Sequence, residues 1–241
     1  MAEFDPVAAY YDRHWAPQFV SVALDPLLAL MVPAVPPGAR VLDLCCGTGR
    51  IAAALTGRGF TVDAIDISGA MVELATRNAP SARVWRADVL AMGPVDDYDV
   101  VLSTYNSVNH LGGTPNLRRF CVEARRVLRP GGLLVFDVNT PAAAAVNWRG
   151  TFAETSDDDV CVVRAHLDAA TGAAVSDITL FSRDGDSWTR VDARLHMVCF
   201  PAEQIDDALR RAGFAEWECF DGGADLGVQA LAGHVFYRAK A

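Results

Sequence analysis

Lysine is almost missing from these 241 residues: Lys240 is the only one, and every other basic chain is an arginine or histidine. With a net charge of −9, the chain has no cationic surplus to offer a polyanion. That excludes nucleic acid or an anionic membrane as the main partner and leaves a neutral or cationic small molecule. No C-x-x-C pair occurs among the six cysteines, and adjacent Cys45 and Cys46 lack the reach to bridge each other. All six read as reduced thiols of a cytoplasmic protein, and no metal site is expected. No uncharged apolar run is long enough to span a bilayer, and the start, Ala2-Glu3-Phe4-Asp5, is too acidic for a secretory leader. Repeats and low-complexity tails are missing too. What remains is ordinary globular composition, 51% hydrophobic and 21% charged, on a chain long enough for one large core.

Patterning organises that chain. Residues 4–32 read as helix, broken near Pro17 and Pro26, and prolines 33, 36 and 37 stop it before Gly38. Apolar strands then alternate with helices: strands at 40–44, 61–66, 82–86, 98–103 and 133–138, helices at 49–57, 69–78 and 114–128. Continuous apolar strands between helices mean a parallel sheet buried on both faces. After residue 158 the pattern changes to three extended runs, 160–167, 175–181 and 188–200, joined by turn-like residues. These predict an antiparallel insertion. A helix at 201–212 and strands at 214–220 and 234–238 close the chain.

The segment Val41-Leu42-Asp43-Leu44-Cys45-Cys46-Gly47-Thr48-Gly49 is the most informative. It reads as a buried strand, a tight small-residue turn and the start of a helix. Asp66 stands nineteen residues after Gly47, at the end of the next strand. A glycine turn lets backbone approach a ligand, and a distal carboxylate accepts two ribose hydroxyls, so the pair reads as a nucleoside site. The spacing also satisfies the dinucleotide fingerprint. However, Asp43 would repel a pyrophosphate, and a helical segment precedes the first strand.

With Ala64-Ile65-Asp66-Ile67-Ser68, Arg86-Ala87-Asp88-Val89 and Leu128-Arg129-Pro130-Gly131-Gly132 in the same order, the chain resembles the class I S-adenosylmethionine-dependent methyltransferases. The resemblance covers most of 10–140 and the last forty residues. It departs at Cys45, where many members have glycine. Asn106-Ser107-Val108-Asn109-His110-Leu111 further resembles a segment of the glycine N-methyltransferase-like and amino-sugar N-methyltransferase groups. The implied fold is α/β: a Rossmann-like, doubly wound, mostly parallel seven-stranded sheet with an antiparallel final strand. It carries an N-terminal helical cap (1–37) and an antiparallel β insertion (141–200) within a single domain.

The resemblance implies S-adenosyl-L-methionine as cofactor and assigns roles. Asp43, with the Cys45 to Gly47 turn, faces the methionine ammonium. Gly49 completes the turn, Asp66 takes the ribose, Asp88 the adenine amino group, and Ile67 and Val89 sandwich the ring. Thr104 is placed beside the cofactor, and Tyr11 and Trp15 cover it as a lid, with the Tyr11 hydroxyl near the methyl. Asn106, His110 and Trp148 are expected to meet a small-molecule acceptor. His110 is either a general base, its ordinary pKa near 6.5 suiting that task, or a loop histidine that shapes the pocket. Arg149, Arg164 and Arg194 are candidates for an acceptor carboxylate. The expected protein is a monomer or homodimer that methylates N or O of a metabolite. The alternatives are a cofactor-binding relative with another reaction, an NAD(P)-dependent oxidoreductase, or a binding module.

Overall fold

The computed structural model describes residues 2–95 and 97–241. Its strands are β1 (Arg40–Leu44), β2 (Thr61–Asp66), β3 (Arg83–Arg86), β4 (Tyr98–Ser103), β5 (Leu128–Asn139), β6 (Gly150–Thr155), β7 (Asp159–Leu167), β8 (Ala174–Asp184), β9 (Ser187–Met197), β10 (Glu216–Asp221) and β11 (His234–Lys240). Seven form one sheet in the order β10-β11-β5-β4-β1-β2-β3. β1 to β5 are parallel, and β11 runs antiparallel between β5 and β10. This is the expected Rossmann-like architecture. The connections reverse direction between β1 and β4, which opens a crevice at the carboxyl ends of those strands.

Alternation along each strand feeds two cores. Leu42 and Leu44 face the helices α5 (Thr114–Val127) and α7 (Ala202–Ala212), through Phe120, Cys121, Ile205 and Leu209. Val41 faces the opposite side, against Phe19, Leu27 and Met31 of α2 (Ala16–Met31) and Ile51 and Leu55 of α3 (Arg50–Thr56). The remaining helices are short α1 (Ala8–Tyr10), α4 (Gly69–Asn78) and α6 (Pro141–Asn147).

Two local expectations need correction. α2 runs through Pro26 without a break, because Pro26 sits on the buried face among Ala23, Leu27 and Leu30, and that packing outweighs the lost hydrogen bond. Pro17 lies in the helix's first turn, where its missing N–H is harmless. The helical path Asp5–Ala34 is long and apolar enough to cross a membrane, but here its apolar face packs on the sheet. The insertion has four strands, not three: β6, mostly exposed and lacking alternation, pairs with β7 at the sheet edge.

The helical cap joins the two sheets. Between α1 and α2 the chain forms a π-turn, Tyr11–Trp15. Such turns inside α-helices are frequent at functional sites. Arg13 donates to Asp159 on β7 at 3.1 and 2.7 Å, and His14 approaches the same carboxylate at 2.8 Å. Asp12 points the other way and accepts from Arg50 at 2.9 and 3.0 Å and from Asn78 at 2.8 Å. Val7 and Tyr10 fill the space between, packed on Cys161, Val163, Ile178 and Leu195.

Burial pushes the Asp159 carboxyl up, but hydrogen bonds from Arg13, Ser182 and His14 outweigh it and hold it down at about 2. Its folded pKa lies below its unfolded one, so its contribution is present above about pH 4 and is lost as pH falls toward 2. Asp159→Asn leaves Arg13 and His14 unpaired. The expected cost at neutral pH is about 1–3 kcal/mol, below that of a fully buried pair because Arg13 is half exposed. Urea titrations at neutral and acid pH measure it. The gap to wild type should narrow on acidification, and an equal gap at both pH values would remove Asp159 from the clamp.

Candidate active site

The turn after β1 is tightly wound. Cys45 adopts φ +56°, Gly47 +53° and Gly49 +73°. Cys45 thus takes the left-handed conformation that glycine adopts at no cost, and the turn forms around it. The Gly47 N–H donates to Asp66 Oδ2 at 2.9 Å, and the Ser68 N–H donates to Oδ1 at 2.9 Å. Asp66 therefore locks the ends of β1 and β2 together. Each oxygen keeps a further lone pair, so two hydroxyls can still be accepted. Burial raises the Asp66 carboxyl, and the backbone amides of Ser68, Gly47 and Ile67 oppose that. Gly49 serves packing: a Cβ there would stand 2.9 Å from Ala75 on α4.

Asp43 is buried on β1, and its Oδ2 has no hydrogen-bond partner among the described residues. Burial, then the Asp66 charge, raises it to about 7. A buried carboxylate with an unmet oxygen suits a cation. Ile67 projects half-exposed beside Asp66. An unmet acid, a locked carboxylate with free lone pairs and an uncovered apolar side chain fit a nucleoside that carries an ammonium.

Asp66 and Ile67, but not Asp43, border a cavity of about 690 Å³. Cys45, Gly47, Asp66 and Ile67 line one end; Asn106, His110, Trp148 and Met197 line the other. Tyr11 and Trp15 roof it, four apart as expected but on the π-turn. The Tyr11 ring lies 3.6 Å from where a Gly47 Cβ would be. Trp15 Nε1 donates to Glu154 on β6 at 3.0 Å, and the Tyr10 hydroxyl donates to the same oxygen at 2.8 Å. The amino-terminal strap adds Phe4, edge-on to His110 at 5.0 Å between ring centres. Asp5 accepts from the Ser68 hydroxyl, and Glu3 meets His196 on β9 at 2.9 Å.

Five expected residues do not line this cavity: Asp43, Gly49, Asp88, Val89 and Thr104. Asp88 is exposed and accepts from the Leu90 N–H at 2.8 Å, the hydrogen bond of a turn-forming Asp. Val89 is buried in the core beyond it, and Thr104 is buried and offers its carbonyl to Ser107. The arginines are also elsewhere: Arg164 donates to Thr179, Arg194 pairs with Asp177, and Arg149 is exposed outside the cavity. Asn106 takes φ +48° and donates to Met197 Sδ at 3.1 Å. Trp148 Nε1 donates to Ser176 at 3.1 Å.

Burial pulls His110 down to about 4, and its Nδ1 has no hydrogen-bond partner among the described residues. It is neutral at physiological pH and a far weaker base than an ordinary imidazole. Two fully buried polar residues were given no role in the sequence reading. Asn109, fully buried, bridges the Asn139 and Val198 backbones and so anchors the turn that carries His110. Asp137, fully buried on β5, accepts from the Asn106 N–H at 2.9 Å and meets His234 Nδ1 at 3.2 Å. An acid inside the apolar run Leu133 to Val138 was the available signal.

Two substitutions separate stability from binding. Asp43 has a folded pKa above its unfolded one, so its ionisation opposes folding: the penalty is absent below about pH 4, grows toward pH 7 and is complete above it. Asp43→Asn should therefore raise the melting temperature of the ligand-free protein at alkaline pH while weakening S-adenosylhomocysteine binding. Asp66→Ala should weaken that binding by about 1.5–3 kcal/mol, ten- to more than a hundredfold. Calorimetry on both variants decides, and unchanged affinity in a folded Asp66→Ala protein would remove Asp66 from the site.

Residues 41–132 match the family described as Methyltransferase domain. The provisionally named methyltransferase YqeM of Bacillus subtilis (strain 168) is 27% identical over 211 residues, 86% of this chain and 85% of its own. A crystal structure of an S-adenosylmethionine-dependent methyltransferase from Clostridium acetobutylicum ATCC 824 superposes with a TM-score of 0.80 at 19% identity, covering 98% of each chain. The sugar N-methyltransferase KedS8 from Streptoalloteichus sp ATCC 53650 gives 0.79 at 21%, covering 95% of this chain and 92% of its own. At these identities the two structures establish a shared fold. Residues 41–132, with the locked turn among them, thus match a methyltransferase domain, and the whole chain shares the fold of structures described as S-adenosylmethionine-dependent methyltransferases.

Proposed function

We propose that the chain methylates the nitrogen of a small amine. The observation that carries this is the wall of the cavity. Three carboxylates line it, Glu3, Asp66 and Glu154, together with the aromatic rings of Phe4, Tyr11, Trp15, Tyr105, Trp148 and Phe152. Aromatic faces and carboxylates together attract an ammonium. Asp66 belongs to the cofactor end by its place at the turn and Glu3 is paired with His196, which leaves Glu154, hydrogen-bonded to Trp15, to draw in the acceptor. The likeness in fold to a sugar N-methyltransferase supports an amino-bearing acceptor.

Bound S-adenosylmethionine supplies an electrophilic methyl group on a sulfonium, whose leaving thioether needs no acid. The protein's part is therefore alignment and exclusion of water. Asp66 and the Cys45 to Gly47 turn hold the nucleoside end. Tyr11, packed over Gly47, Tyr105 and Trp15, closes the roof. The second sheet supplies the far wall through Phe152, Val163, Ile178 and Leu195.

Transfer of a tritiated methyl group from S-adenosylmethionine to matched pairs, such as glucosamine and glucose, tests the assignment. The amine of a pair should be labelled and its hydroxyl counterpart should not. Glu154→Gln should raise the amine's KM about tenfold or more, as expected for loss of a hydrogen bond to a charged group. Label only in hydroxyl compounds would overturn the nitrogen assignment.

A further inference from the structure

An amine that binds as its ammonium ion has no lone pair to attack with, so something in the cavity must take a proton. We propose that His234, positioned by Asp137, is that proton acceptor; the inference rests on the amine reading above.

His234 opens β11 and lines the cavity. Its Nδ1 lies 3.2 Å from Asp137 Oδ2, and its Nε2 makes no hydrogen bond to the described residues. A carboxylate that accepts from Nδ1–H fixes the tautomer with a bare Nε2 and stabilises the imidazolium that forms. Asp137 is well set for this. It is wholly buried, and its Oδ1 has no hydrogen-bond partner among the described residues. The sheet holds the two in register, with Phe236 opposite Asp137 and His234 opposite Asn139. The strand's entry is held as well: the Gly233 N–H donates to Asp221 at 3.1 Å, and the His234 carbonyl accepts from Gly222 at 2.9 Å.

Two acids lie near the ring, Asp137 from β5 and Asp221 from β10. Asp221 is already occupied by the amides of Gly223 and Ala224, so Asp137 is the orienting partner. His110 contrasts: Phe4 packs against it, no carboxylate among the described residues bonds to it, and burial pulls it to about 4.

The step balances. The ammonium N–H bond breaks, its proton goes to Nε2 of His234, and the electron pair stays on nitrogen. That pair forms the N–C bond as the C–S bond breaks and its pair stays on sulfur. His234 then returns its proton to water, so each turnover releases one.

The test labels the five histidines with ¹⁵N. His234→Gln identifies the His234 signals. At neutral pH wild type should show an unprotonated Nε2 and a protonated Nδ1. Asp137→Asn should disturb that pattern, and should it fail to fold, the wild-type tautomer and His234→Gln still decide. With an amine from the panel above, His234→Gln should lower the single-turnover rate at neutral pH about a hundredfold or more. S-adenosylhomocysteine affinity should not change. The loss should fade as pH rises toward the amine's own pKa, because free amine then arrives without its proton. A protonated Nε2 with a bare Nδ1, a variant keeping over a tenth of the rate, or a loss that alkali does not rescue would each overturn the assignment. If no amine is methylated, the amine reading fails by itself, and the tautomer decides whether His234 is a poised base.

Discussion

Everything above the sheet edge hangs on the π-turn Tyr11–Trp15. An α-helix places side chains 100° apart, so neighbours three and four apart share a face. The wider turn spreads five consecutive residues across three bodies. Asp12 reaches back to Arg50 and Asn78, on the two helices that follow β1 and β2. Arg13 and His14 reach forward to Asp159. Tyr11 and Trp15 turn inward over the cavity. The cap is thus clamped from both sides by partly buried, charge-assisted pairs, which resist shear better than apolar contacts do. The same pairs that stabilise the cap fix the roof of the site.

A second buried acid organises the acceptor end. Asp137 is taken out of water at the end of β5, which is expensive for a carboxylate. It is offset by the Asn106 N–H and the His234 ring, and only partly, since Oδ1 stays unmet. Asn106 and Tyr105 both sit at positive φ, and the hydrogen bond from the Asn106 N–H helps to hold that strained corner. Burial raises the Tyr11 hydroxyl first, and the charges of Asp66, Asp137 and Asp43 add to it, as they do from several strand ends at once. A purely structural residue here would be apolar. An incompletely satisfied acid is the local inconsistency that functional sites tolerate.

How much of this the sequence carried depends on range. Strands 40–44, 61–66 and 98–103 were legible to the residue, because each is a short apolar run bounded by turn chemistry. The glycine turn and Asp66 were legible because their partners lie nineteen residues apart along one β-α-β unit. β6 was not, since an exposed edge strand such as Gly150–Thr155 has no buried face to impose alternation. Nor was the π-turn, whose five residues fit an amphipathic helix equally well. Asp88 is not decided by its local pattern, because an acid after a strand has the same signature whether it caps a turn or meets a ligand. His234 was silent: its partner Asp137 is 97 residues away, and only the antiparallel insertion of β11 beside β5 unites them.

That last juxtaposition says something about why the sheet ends as it does. A parallel strand beside β5 would place its carboxyl end at the crevice. An antiparallel β11 instead delivers its first residue there, straight from the Gly222 to Gly233 loop. The site then gains a side chain from the start of a strand, fixed by ladder hydrogen bonds on one side and by loop hydrogen bonds to Asp221 on the other. A residue so held has little rotamer freedom left to lose, which is the condition for accurate placement. The reversal therefore brings His234 to the edge that already carries Asp43, Asp66 and Asp137. One open edge thus holds three acids and a candidate proton acceptor, all on strands of the sheet.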